Sequence, residues 1–267
     1  MRSIFALLRA SYLSAASYRL SLVISFAALL ASVVPIYFIS GAVQPIVADS
    51  IAAEGGHYFG FVIIGLAAVY LLSAAASALP GALAGGLGSG TLEALFVTRT
   101  PLHQTLLGLI AYPLALALVR STLLVIGAAL VGGVGISWTA LPMALGVVAL
   151  IIGAYLSFGL VAASLVLVFR TSGPLTTAVV AGSGLLGGVY YSTTVIPAWL
   201  QDLSALVPLT YGLRALRMLL LGGAPVSEVI NDVSALTFMT IVMLSVATAL
   251  FAAALRHARS AGTLSQY

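Results

Sequence analysis

The chain has 267 residues, 62% hydrophobic and 6% charged, with a mean hydropathy of +1.21 and a formal net charge of +4. A globular surface needs charge on about a quarter of residues, so a water-soluble domain is excluded and an integral membrane protein is implied. All ten basic residues are arginine, so the lysine of a phosphate-binding Walker A loop is missing, and the lack of cysteine removes disulfides, thiolate metal sites and thiol nucleophiles.

Taken in chain order, residues 1–19 do not read as a cleavable signal peptide, because Arg2, Arg9 and Arg19 interrupt the apolar core such a peptide needs. Ile4, Phe5, Leu8 and Tyr12 share one helical face and Arg2 and Arg9 another, which predicts an interfacial helix lying along the membrane. A first span is expected over 20–40 and a loop with Asp49 and Glu54 over 41–56. The second span, 58–80, is expected to loosen at Pro80 and the following glycines.

Residues 90–103 form a short charged stretch between apolar ones. Leu92, Leu95 and Phe96 recur at helical spacing, Glu93 falls in the first turn and Arg99 in the last, and Pro101 ends the pattern. This predicts an amphipathic helix outside the bilayer core; periodicity alone leaves a solvated connecting loop as the alternative. A third span over 106–134 contains Arg120, a turn with the interfacial Trp138 leads to a fourth over 141–169, and Gly173 and Pro174 open a fifth over 173–191.

The segment 193–221 is neither a full span nor a loop. Pro197 and Pro208 divide it into two pieces too short to cross a bilayer, and Trp199, Asp202, Tyr211, Arg214 and Arg217 give it interfacial character. It reads as a helical hairpin dipping in from one side, with Asp202 expected to pair with Arg214 and Arg217. A sixth span over 233–255 follows the acidic loop with Glu228 and Asp232, and the tail is polar. The fold class is thus an all-α integral membrane protein, a single transmembrane domain of six spans.

Six spans place both termini on one side. Arg2, Arg9, Arg19, Arg99, Arg170, Arg256 and Arg259 lie on that side against Arg214 and Arg217 opposite, so the positive-inside rule puts the termini and the 90–103 helix in the cytoplasm and the hairpin outside. A multi-pass plasma-membrane protein is expected. Arg120, near mid-membrane, costs at least about 2.5 kcal/mol there. Without an intramembrane carboxylate to form a relay, a structural tie to backbone carbonyls or snorkelling is favoured over a functional role.

The glycines of Gly182-Ser183-Gly184-Leu185-Leu186-Gly187 match a dinucleotide fingerprint but sit in an apolar span without a preceding strand, so close helix packing is the better reading. Ser183 has no buried base beside it, because His57, His103 and His257 fall at span ends or beyond, and the three are too scattered to hold a metal. Nothing points to a nucleic-acid partner.

Gly90-Thr91-Leu92-Glu93-Ala94-Leu95-Phe96 with Thr100-Pro101, then Pro197-Ala198-Trp199 and Pro208-Leu209-Thr210-Tyr211-Gly212-Leu213-Arg214-Ala215-Leu216-Arg217, resemble the two signature regions of the ABC-2 type permeases. The likeness extends over nearly the whole chain: an interfacial helix, six spans, a cytoplasmic coupling helix between spans two and three, and an outer re-entrant hairpin between spans five and six. Two departures stand out. Val207 precedes Pro208 where the family often has Asn, and Leu87-Gly88-Ser89 precedes the first motif where charge is common.

The resemblance implies a half-transporter that is not itself an enzyme and binds no cofactor, with ATP and Mg held by a separate ATPase subunit. That subunit would dock on the coupling helix through Thr91, Leu92, Glu93, Leu95, Phe96 and Arg99, and two permease copies, identical or closely related, would make the working unit among membrane lipids. It also implies export of an amphipathic drug, lipid or glycolipid by alternating access, with mostly apolar contacts from spans one, two and five. A secondary transporter, a channel or a non-transporting scaffold are the alternatives.

Overall fold

The computed structural model describes residues 19–88, 101–169 and 173–260. The expected interfacial helix over 1–18, the coupling residues Thr91, Leu92, Glu93, Leu95, Phe96 and Arg99, Arg170 and the tail from 261 lie outside these described residues.

Among the described residues the chain is helical with no strand, as hydrocarbon demands, because a helix satisfies its backbone N–H and C=O groups internally. The elements are α1 (Arg19–Val47), a 3-10 turn (Asp49–Glu54), α2 (Tyr58–Gly88), α3 (Leu102–Gly132), a 3-10 turn (Trp138–Ala140), α4 (Leu141–Phe169), α5 (Gly173–Leu186), a 3-10 turn (Thr193–Val195), α6 (Ala198–Ser204), α7 (Pro208–Leu220) and α8 (Val226–Ser260). Five of them, α1, α2, α3, α4 and α8, are long and apolar enough to cross a membrane, and the count becomes six if the bent pair α6–α7 is taken as one span.

Two expectations need correction. The fifth span was expected to reach residue 191, but α5 has 14 residues and ends at Leu186. At about 1.5 Å per residue it is about 21 Å long, short of a hydrocarbon core of about 30 Å. The reason is local: the Gly187 amide donates to the Ser183 carbonyl (2.8 Å), and Gly188, with φ +72°, takes the left-handed conformation that turns the chain out of the helix. Pro80 does not loosen the end of the second span either, since α2 continues through it to Gly88. Proline is tolerated inside membrane helices where neighbours re-satisfy the freed carbonyl, and α1 and α3 also carry internal prolines.

α2 is the axle of the bundle. Most of its apolar length is buried, whereas α1, α3 and α8 leave most of theirs exposed to the surrounding bilayer. α3 and α4 both pack along α2, α8 packs along α4, and α1 lies against α2 and α3. The largest core cluster joins Ile64, Ala68 and Leu72 of α2 to Val147, Ile151 and Tyr155 of α4, with Leu209, Leu213 and Leu216 of α7 inserted from one end. α7 is therefore part of the core, although it is too short to span.

Candidate functional site: the hairpin end of the bundle

The two pieces of the hairpin meet at 90°. Pro197 occupies the N-cap of α6 and Pro208 the first turn of α7, positions where a missing N–H costs nothing. Side chains close the corner: Thr210 donates its hydroxyl to the Ser204 carbonyl (2.8 Å), Tyr211 to the Ala205 carbonyl (3.0 Å), and Ser204 to the Leu186 carbonyl at the end of α5 (2.7 Å). Trp199 on α6 is exposed, the position of an interfacial anchor.

Arg217 is the centre of this end of the molecule. Its side chain is 2% exposed, yet each of its three guanidinium nitrogens donates. Nε donates to the Phe61 carbonyl (3.2 Å), Nη1 to Glu54 Oε2 (3.1 Å), and Nη2 to the Gly188 and Val189 carbonyls (3.0 Å each). The guanidinium also lies 3.3 Å from the centre of the Phe61 ring, a close cation–π contact. One side chain thus fastens α7 to the α1–α2 turn, to α2 and to the turn after α5. Gly65 makes room for it: a Cβ there would meet the Val189 carbonyl oxygen at 2.6 Å and Arg217 Nη2 at 3.0 Å.

The expected pairing of Asp202 with Arg214 and Arg217 is corrected by this geometry. Arg217 pairs with Glu54, and Arg214 makes a two-pronged ion pair with Asp232 in the first turns of α8. Asp202 is exposed on α6 and joins no ion pair among the described residues. Tyr211 stacks near Arg214, with 5.7 Å from the guanidinium carbon to the ring centre.

Further ties converge on the same turn. Gln44 on α1 donates to the Gly56 carbonyl (2.6 Å) and accepts from the Tyr58 amide (2.7 Å), and the Tyr58 hydroxyl donates to the Tyr190 carbonyl (2.9 Å). The Ser137 amide in the α3–α4 loop donates to the Leu220 carbonyl at the end of α7 (2.9 Å). Gln44, Glu54 and Asp232 escaped the reading of the sequence as partners. Glu54 pairs with a residue 163 positions away and Gln44 and Asp232 with residues 12 to 18 positions away in a neighbouring element, and only their being polar at span ends marked them.

Arg120 sits apart, on α3. Its guanidinium faces the Phe26 ring of α1 at 5.7 Å, Nε is buried without a hydrogen-bond partner, and no ion pair forms to it among the described residues. The glycines of the 182–187 stretch are not a packing motif as a whole. Gly182 and Gly184 face open space, and only Gly187 lies tight against a neighbouring helix, at Leu209.

The profile of the ABC-2 type transporter family matches residues 58–221, which takes in α2 through α7 and therefore both the axle and the hairpin. The match covers more than half of the chain, and the protein belongs to this family: it is a multi-pass membrane protein, the permease component of an ABC transporter, a component that lacks the ATPase site. Among curated proteins none matches the chain. Membership implies association with an ATPase subunit.

Proposed function

We propose that the protein is the membrane half of an ATP-driven exporter that moves an amphipathic or lipid-like molecule out of the cytoplasm or the inner leaflet. Two permease copies work with two ATPase subunits, the ATPase docks on the 90–103 helix, and the termini face the cytoplasm. ATP binding to the closed ATPase dimer favours the state open to the outside, which requires nucleotide to bind the two states with different affinity.

The observation that supports this reading is the placement of acids. Of the six acidic side chains in the chain, Asp49, Glu54, Asp202, Glu228 and Asp232 all belong to the hairpin end, and the sixth, Glu93, lies in the sequence segment 90–103, between the second and third spans. The spans carry no acid at mid-depth for an ion-coupled relay. This placement supports the reading in which energy enters from outside the bilayer, as a dedicated ATPase would supply it.

The test is truncation of the largest apolar residue of the coupling helix. Aromatic interface anchors commonly cost more than about 2 kcal/mol on truncation. Phe96→Ala is therefore expected to leave normal amounts of protein in the membrane while weakening ATPase co-purification and abolishing cargo-stimulated ATP hydrolysis, with Val97→Ala as the control. Undiminished co-purification with full transport would reject the docking assignment.

A further inference from the structure

α3 and α4 both pack along α2, and a cleft lined by both of them lies at the hairpin end of the bundle. Its volume is about 240 Å³. Ala68 on α2, Ala144 on α4 and Leu216 on α7 form its floor, all of them buried, and its lips are Leu118 on α3 and Leu145 on α4, both exposed. Trp138 stands at its outer rim and Leu220 of α7 roofs that end.

The surroundings of the cleft decide what fills it. Its walls belong to α2, α3 and α4, three of the helices long and apolar enough to cross the bilayer, so its mouth opens on hydrocarbon. Apolar cavities of about 150 Å³ already stay dry and accept a small hydrocarbon; of the two hydroxyl side chains that line it, Ser121 spends its hydroxyl on the Ala67 carbonyl (2.8 Å) and Thr122 is exposed. Left empty, the lining would forfeit its dispersion contacts on one side. A second protein copy would have to insert a side chain past both lips, whereas an acyl chain is narrow, apolar and present at high concentration on the spot.

We infer that this cleft is a binding site for one acyl chain of a phospholipid in the hairpin-side leaflet. The headgroup end lies beside Trp138, at the depth where aromatic residues meet the interface, and the chain descends between Leu118 and Leu145. A chain seated there packs on Leu216 and Leu220, one helical turn apart on α7 and flanking Arg217 in sequence. The lipid therefore supports the hairpin helix from the membrane side, opposite the polar contacts of Arg217. This inference is independent of cargo, of the ATPase and of the direction of transport.

The experiment uses the full chain in proteoliposomes with a phosphatidylcholine whose acyl chain carries a photoactivatable diazirine, followed by mapping of labelled residues. Adducts are expected on Ala68, Ala144 or Leu216, which are 1%, 3% and 4% exposed and reachable only through the cleft. Labelling of these positions is expected to be lost in Leu145→Trp and, independently, in Leu118→Trp, each of which closes one lip without touching the core, while Phe238 on α8, 70% exposed to lipid, stays labelled in all forms. Adducts confined to outward residues such as Phe238, or cleft adducts unchanged by both lip variants, would overturn the inference.

Discussion

The two arginines of α7 are three residues apart and identical in chemistry, yet they lie in different surroundings. Arg217 is buried, with its charge matched by Glu54 and three more of its five N–H donors taken by backbone carbonyls. Arg214 is 44% exposed, lies near the Tyr211 ring and has one ion-pair partner, Asp232, which is itself buried with a side-chain exposure of 9%. A buried charge is tolerable only when paired and fully hydrogen-bonded, and removing one partner leaves the other stranded. In the Arg214 pair only the carboxylate is buried, and the guanidinium keeps access to water. The inner side of α7 is therefore the more firmly fastened of the two, and the outer side is held by a half-exposed pair.

Changes that break this contrast should rank by burial. The largest effect is expected from Arg217→Met, which strands the Glu54 carboxylate and frees three carbonyls: a destabilisation of about 3–5 kcal/mol, seen as loss of folded protein in detergent or nanodisc thermal unfolding. Arg217→Lys should rescue little, because one ammonium cannot reproduce the planar fork that reaches four acceptors. Gly65→Ala should come next, at about 1–3 kcal/mol, because its methyl group would collide with the Val189 carbonyl and Arg217 from the α2 side. A Gly65→Ala protein that unfolds at the parental temperature would show that the fork can shift without loss.

Arg214→Gln is expected to cost about 1–3 kcal/mol, because it leaves the buried Asp232 carboxylate without its ion pair while Arg214 itself is partly in water, measured by the same unfolding assay. Asp202→Ala marks the bottom of the scale, within about 0.5 kcal/mol of the parent as for other surface changes. A large Asp202 effect would mean that the hairpin carries a contact made only in an assembly with a second copy.

What was legible in the sequence follows from the range of the interactions. The membrane class rests on composition, and the separate character of 193–221 rests on Pro197 and Pro208, signals that act within a few residues. Asp202 is the acid nearest to Arg214 and Arg217 within the hairpin and therefore the expected partner, whereas Arg214 pairs with Asp232 in the next helix and the partner of Arg217 lies 163 residues away. No periodicity reports a contact at that separation. The end of α5 was misplaced for a related reason: 187–191 is apolar enough to continue a span, and only the left-handed backbone at Gly188, under the hairpin, ends it. Pro80 misled in the opposite direction, since a proline that stops a helix in water is accommodated in a bundle that shelters the freed carbonyl.

The claim that α7 is fastened from its buried side is tested most directly by two double-mutant cycles run in the same lipid nanodiscs by thermal unfolding, one pairing Glu54→Gln with Arg217→Met, the other Asp232→Asn with Arg214→Gln. Residues in direct contact inside a network couple by about 0.5–3 kcal/mol. The account predicts a stronger coupling for Glu54 with Arg217, where both partners are buried, than for Asp232 with Arg214, where only the carboxylate is; equal couplings, or the reverse order, would contradict it.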